Sequence, residues 1–212
     1  MLISSANVKT FRIPLRKVFF FSFFFSVAFL SALCYTCTMN YKQLYEKNAA
    51  WYNQRPTAKK ILLLVNQYLP LLFFVGYAGI ALLFLFKDSY ARETIAVYFA
   101  APATTLAITS ALRLVISRPR PYDADGAGII PLGNKKMGKF SSCPSRHLAC
   151  AVAIALVFFS ISAPLAIFAI LVCGLMAYTR FAVGFHYPSD ILLGAIIACF
   201  LHAAFMVLLA IL

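Results

Sequence analysis

Two histidines and one aspartate are the residues best placed to do chemistry. His186 and Asp190 lie four apart in Thr179-Arg180-Phe-Ala-Val-Gly-Phe-His186-Tyr-Pro188-Ser189-Asp190, where one long apolar run gives way to the next. At that spacing a carboxylate can hold one imidazole nitrogen and leave the other free, which suits a nucleophilic or general-base histidine. The plainer reading is a helix start, since Pro188, Ser189 and Asp190 are good first-turn residues and a His near an Asp is often only a local hydrogen bond. Context weighs against it, because charged groups in or beside lipid are costly and are kept mainly for function.

His147 belongs to Pro144-Ser145-Arg146-His147, which reads as the first turn of another helix. Unbonded backbone N–H groups at a helix start form an anion site, to which the Ser145 hydroxyl adds a donor. His147 would stand beside such an anion, able to protonate a departing oxygen. Arg113 and Arg120 are seven apart, about two helical turns, although Pro119 and Pro121 end the helix before the second is reached. Guanidinium groups brought together repel unless a dianion lies between them, and phosphate matches them in charge and geometry. One arginine at a helix end would be an ordinary basic flank; several beside prolines are less easily explained that way.

The elements that must position these residues are membrane helices. Of 212 residues, 63% are hydrophobic and 12% charged, with a mean hydropathy of +0.86, which excludes an ordinary soluble domain. The net charge of +13 does not indicate nucleic acid, because the basic residues are dispersed in short loops between apolar runs and form no stripe. Anionic headgroups or phosphorylated substrates are the natural partners. Of the six cysteines, Cys34 and Cys37 form a CxxC with neither a second pair nor a nearby His, and most of the others fall in apolar runs where they simply pack.

Residues 1–17 form a basic flank (Lys9, Arg12, Arg16, Lys17) before an apolar, Phe-rich stretch at 18–39. That stretch exceeds a signal-peptide core, and Leu33 stands before Cys34 where a small residue is expected, so it reads as a retained first membrane helix. Residues 40–60 interleave Tyr41, Tyr45, Trp51 and Tyr52 with lysines, as an interfacial amphipathic helix or a connecting loop would. Five further spans follow at 61–86, 94–116, 147–162, 164–180 and 189–212, forming a catalytic membrane core over 61–212; each is near the roughly 20 residues that cross a bilayer. The expected fold is all-α, a bundle of six transmembrane helices. Six crossings bring Arg113, Arg118, Arg120, Ser145, Arg146, His147, Arg180, His186 and Asp190 to one face.

The set Arg113-(six residues)-Arg120-Pro121, Pro144-Ser145-Arg146-His147 and Thr179-Arg180-(five residues)-His186-(three residues)-Asp190 resembles the three-part signature of the type-2 phosphatidic acid phosphatase superfamily, which also includes vanadium haloperoxidases. The resemblance spans roughly residues 60–212. Arg113 stands where the pattern has Lys, Arg146 where it has Gly and Thr179 where it has Ser; the first keeps the charge, the third keeps the hydroxyl, and the second adds bulk and a cation. The resemblance implies a two-step hydrolysis in which His186 attacks phosphorus, Asp190 orients it, and His147 protonates the leaving oxygen. It further implies that Arg113, Arg120, Ser145, Arg146 (through its amide) and Arg180 hold the phosphoryl oxygens, with no metal and no cofactor. The substrate it implies is a membrane lipid phosphate: undecaprenyl diphosphate first, then phosphatidylglycerol phosphate, phosphatidate or lipid A.

A different class of function, a non-enzymatic lipid or ion carrier, would need polar residues through the depth of several helices, whereas here they gather at one end. Sidedness draws opposing signals. Apart from the site arginines 113, 120, 146 and 180, the site face carries nine Lys and Arg and the other face six, a balance that would turn the site towards the cytoplasm. The basic N-terminal flank and the relatives of this kind favour an extracytoplasmic site in the cell inner (plasma) membrane.

Overall fold

The computed structural model describes residues 41–86, 92–123, 127–133 and 142–211. Their regular structure is entirely helical: α1 (Tyr41–Asn53), α2 (Pro56–Phe86), α3 (Arg92–Ile116), α4 (Arg146–Phe158), α5 (Ala163–Ala182) and α6 (Pro188–Ile211). The basic flank and the first membrane helix expected at 18–39 lie outside the described residues. Among the described residues, four helical stretches are long and apolar enough to cross a membrane: Pro56–Phe84, Thr94–Ile116, Ala163–Ala182 and Pro188–Leu209. They mark a multi-pass membrane protein. On α2, Leu64, Leu71, Leu72, Val75, Leu82 and Leu83 remain exposed, an apolar face of the kind a bilayer covers.

One expected span is shorter than its sequence pattern suggested. The stretch at 147–162 gives a helix of 13 residues, which reaches about 20 Å against the roughly 30 Å of a hydrocarbon core. It stops at Phe158, where main-chain bonds from Phe159, Ser160, Ile161 and Ser162 fold back on residues 156–158. Every residue from Leu148 to Phe158 is buried, so α4 is the axis of the core, enclosed by α3, α5 and α6. Its apolar continuity therefore reflects burial in protein on all sides. Alanines at 149, 151, 153 and 155 let the surrounding helices come close, the usual means of packing where lipid supplies no hydrophobic drive. Gly194 of α6 completes this approach, since a Cβ there would lie 2.8 Å from the Ser145 carbonyl oxygen.

Residues 41–53, for which sequence left helix and loop open, are helical. Tyr45 is 1% exposed, and its hydroxyl donates to Ile130 O at 2.9 Å with Val183 O at 3.4 Å. Asn48 Nδ2 donates to Ala182 O at 3.2 Å, and the Tyr52 and Tyr178 hydroxyls meet at 2.9 Å. The ring of Tyr45 needs Gly184: at φ +85° that residue adopts a conformation that L side chains avoid, and a Cβ would come within 2.8 Å of Tyr45 and of Ile129. Helix α1 is thus keyed into the α5–α6 connection that carries His186.

Candidate active site

Three chain segments meet at one end of α4. Main-chain bonds fasten them together: Ser145 N–H donates to Asp190 O (2.9 Å) and Ser142 N–H to Arg118 O (3.2 Å). Arginines add further ties. Arg113 Nε donates to Pro144 O at 2.7 Å, and Arg120 Nη1 to Phe185 O at 3.0 Å. The segments around Arg113–Arg120, Ser145–His147 and Arg180–Asp190, far apart in sequence, are thereby one unit.

His186 is 1% exposed. Its Nδ1 lies 2.8 Å from Ser142 O, and a carbonyl can only accept, so Nδ1 carries the hydrogen and Nε2 keeps its lone pair. Burial also disfavours the imidazolium and lowers the His186 pKa to about 4, outweighing Asp190, which pulls the other way. The ring is therefore neutral, with one nitrogen open to attack an electrophile.

Asp190 holds this arrangement less directly than the spacing suggested. Its Oδ2 is 3.8 Å from His186 Nδ1, too far for a hydrogen bond, because Ser142 stands in between. Ser142 Oγ donates to Asp190 Oδ2 while Ser142 O receives the imidazole N–H. Oδ2 also accepts from Tyr187 N–H at 3.0 Å, and Oδ1 from Arg118 Nη1 at 2.8 Å. Arg118 bonds Ser189 Oγ at 2.8 Å as well and lies over the Tyr187 ring at 4.1 Å. Ser142 and Arg118 are the residues that sequence reasoning passed over. Topology brings Arg118 to the site face but gives it no role there, and Ser142, two residues before Pro144, gives no sign of its contacts.

The remaining expected site residues divide in two. Arg113, Arg180 and Ser145 are buried, and Arg113 Nη2, Arg180 Nε and Ser145 Oγ have no hydrogen-bond partner. Ser145 precedes α4 without capping it through its side chain. The first turn of α4 closes with Ala149 N–H to Ser145 O, so the amides of Arg146, His147 and Leu148 have no acceptor within the helix. Arg120 is buried too, and burial lowers its pKa. By contrast, the Arg146 side chain is exposed and reaches Ser110 Oγ at 3.4 Å, so only its amide belongs to the cluster.

His147 shares a cavity of about 530 Å³ with Arg180, Phe185 and Gly133, walled by Leu63, Asn66, Gln67, Pro70, Leu71 and Phe74 of α2. It is within electrostatic reach of His186, Arg113 and Arg180. Cys143, beside Asp190, is buried, which pushes its thiol up to about 11 and leaves it unreactive at neutral pH. Among the described residues no group of three or more His, Cys, Asp or Glu side chains gathers as a metal site. Arginine donors without acceptors near a neutral, buried imidazole are chemically suited to receive a tetrahedral oxyanion.

The family model for the PAP2 superfamily matches residues 94–210. A crystal structure described as Aquifex aeolicus LpxE resembles the chain with a TM-score of 0.44 at 19% identity, over 69% of this chain and 92% of that one. No curated protein matches the chain by sequence.

Proposed function

The chain belongs to the PAP2 superfamily, and from that premise we propose that it is a multi-pass membrane phosphatase that hydrolyses the phosphomonoester or diphosphate of a lipid through a phosphohistidine. The observation that carries this reading is the state of His186, neutral, fixed through Nδ1 on Ser142 O and within electrostatic reach of Arg113, whose Nη2 has no partner. Nε2 attacks phosphorus as the bond to the leaving oxygen breaks, and His147 gives that oxygen a proton. In the second step His147 takes a proton from water, whose oxygen attacks phosphorus, breaking the P–N bond and restoring His186. Asp190, acting through Ser142, steadies the positive charge that the ring acquires.

Arg113, Arg120, Arg180, Ser145 and the amide of Arg146 hold the phosphoryl oxygens and stabilise the charge of the trigonal-bipyramidal transition state. Guanidinium groups and helix-start amides supply what a divalent cation would otherwise give, so the reaction runs without metal. A lipid substrate fits a site at the end of a membrane bundle, where a phosphate ester diffusing in the leaflet can arrive between helices. Among such substrates we take undecaprenyl diphosphate as the first to test, with the site on the extracytoplasmic face of the plasma membrane.

The purified protein in detergent is expected to release phosphate from lipid phosphates in excess EDTA and to be inhibited by vanadate. His186→Ala is expected to lower turnover by about 10³-fold or more, as loss of a nucleophile does. Activity that disappears on chelation, or that survives in His186→Ala, would refute the mechanism. A carrier would show no phosphate release at all.

A further inference from the structure

The phosphatase reading accounts for one end of the cavity beside His147 but leaves its α2 wall without a role. That wall runs from Leu63 to Phe74, about 16 Å along the helix. Its far part, Pro70, Leu71 and Phe74, is apolar; Asn66 and Gln67 form a polar band between that part and the start of the helix. Asn66 is 6% exposed, and its Oδ1 is buried with no hydrogen-bond partner.

A polar side chain inside a membrane helix is normally kept for a bond to a neighbouring helix. Here that bond is missing, and the buried carbonyl oxygen incurs its full desolvation cost. What it lacks is a donor. His147, which shares the cavity, gives its proton to the leaving oxygen, so the cavity receives the part of the substrate that departs.

Building on the phosphatase reading, we propose that this cavity is the leaving-group subsite and that Asn66 selects leaving groups bearing an O–H immediately beyond the departing oxygen. A polyol ester supplies it, with a hydroxyl on the carbon next to the ester carbon. A diphosphate does not, because the non-bridging oxygens of its departing half are ionised and only accept. The hydrocarbon chain of the ester lies along Pro70, Leu71 and Phe74. A leaving group without such an O–H leaves Oδ1 unpaired in the transition state, and sites built for a hydroxyl discriminate strongly against analogues that lack it.

Two matched pairs test this on the full-length protein in detergent. The first is 1-acylglycerol 3-phosphate against its 2-deoxy analogue, which differ by one hydroxyl. The second is farnesyl diphosphate against farnesyl monophosphate. The wild type is expected to favour the first member of the first pair tenfold or more in kcat/KM, and Asn66→Leu and Asn66→Ala are expected to bring that ratio to within about twofold of unity while leaving the ratio of the second pair unchanged. A response to Asn66 substitution confined to the second pair overturns the proposal, since no hydroxyl distinguishes those two compounds at that position. A merely structural Asn66 would lower both members of each pair alike and preserve every ratio, which overturns the proposal. A wild type that releases phosphate from none of the four compounds overturns the phosphatase reading itself.

Discussion

Two groups of polar residues meet where the three segments join, and they are built on opposite principles. In the first, Ser142, Asp190, Arg118 and Tyr187, the key polar atoms are spent on one another: His186 Nδ1 on Ser142 O, Ser142 Oγ on Asp190, and Asp190 on Arg118 and the Tyr187 amide. In the second, Arg113, Arg180 and Ser145, each residue keeps one polar atom buried and unpartnered. An unsatisfied buried donor costs on the order of 1–3 kcal/mol, so three in one place are a large standing penalty. The contrast assigns labour. A saturated group fixes a side chain, whereas an unsatisfied one waits for a ligand that brings the missing acceptors.

The largest effect that would break this comparison comes from the unsatisfied group. Arg180→Ala is expected to lower kcat by about 10² to 10³-fold, the scale for losing one donor to transition-state oxygens. Inhibition by vanadate should weaken with it, since the same donors would hold the trigonal-bipyramidal mimic. Normal vanadate affinity in Arg180→Ala would show that its Nε faces no phosphoryl oxygen.

Arg118→Ala probes the saturated group and should do less. It removes the guanidinium from Asp190 Oδ1 but leaves Ser142 and the Tyr187 amide on Oδ2. Roughly a tenfold loss in kcat is expected, with KM little changed, because the residue acts on the nucleophile's support and not on substrate. A rise in KM with kcat preserved would instead make Arg118 a ligand for the lipid headgroup.

The state of the ring is testable by pH. His186 must be unprotonated to attack, and protonation occurs below its pKa. Because burial lowers that value from an ordinary 6.5 to about 4, the acid limb of kcat/KM that reports His186 in the free enzyme should lie near pH 4 and not near 6.5. A limb at pH 6.5 would mean that the ring is wet and that the saturated group does not isolate it.

Much of this arrangement was legible in the sequence, for identifiable reasons. Arg113, Arg120, Ser145, His147, Arg180, His186 and Asp190 could be grouped because an even number of helices between them returns the chain to the same end, which needs only hydropathy. What escaped was of two kinds. The division between saturated and unsatisfied residues depends on distances of a few ångströms, so Arg118 looked like a flank charge and Asp190 like a direct partner of His186, with Ser142 unseen between them. The 13-residue length of α4 was hidden because apolar composition is the same for a helix in lipid and for one wrapped in protein. Residues 41–53 were ambiguous since their contacts with Ile130, Ala182 and Val183 are specific hydrogen bonds and carry no periodic signature.

His202 sharpens the comparison from outside the site. It is 1% exposed on α6, twelve residues beyond Asp190, and neither ring nitrogen has a partner. By the criterion of unpaired polar atoms alone it would rank with Arg180 and Ser145. It differs in standing by itself: the cavity beside His147 does not include it, and it lies about 18 Å along the helix from Asp190. Function is therefore assigned to unpaired groups that converge, and His202 is a local cost of folding. Replacing it by Leu, of similar volume, removes the unpaired nitrogens and should stabilise the protein by about 1 kcal/mol, seen as a rise of a few degrees in the thermal unfolding midpoint in detergent. Turnover should stay within twofold of the wild type. If His202→Leu instead abolished phosphate release while the protein stayed folded, an isolated unpaired imidazole would have proved functional, and convergence would lose its force as the sign of a site.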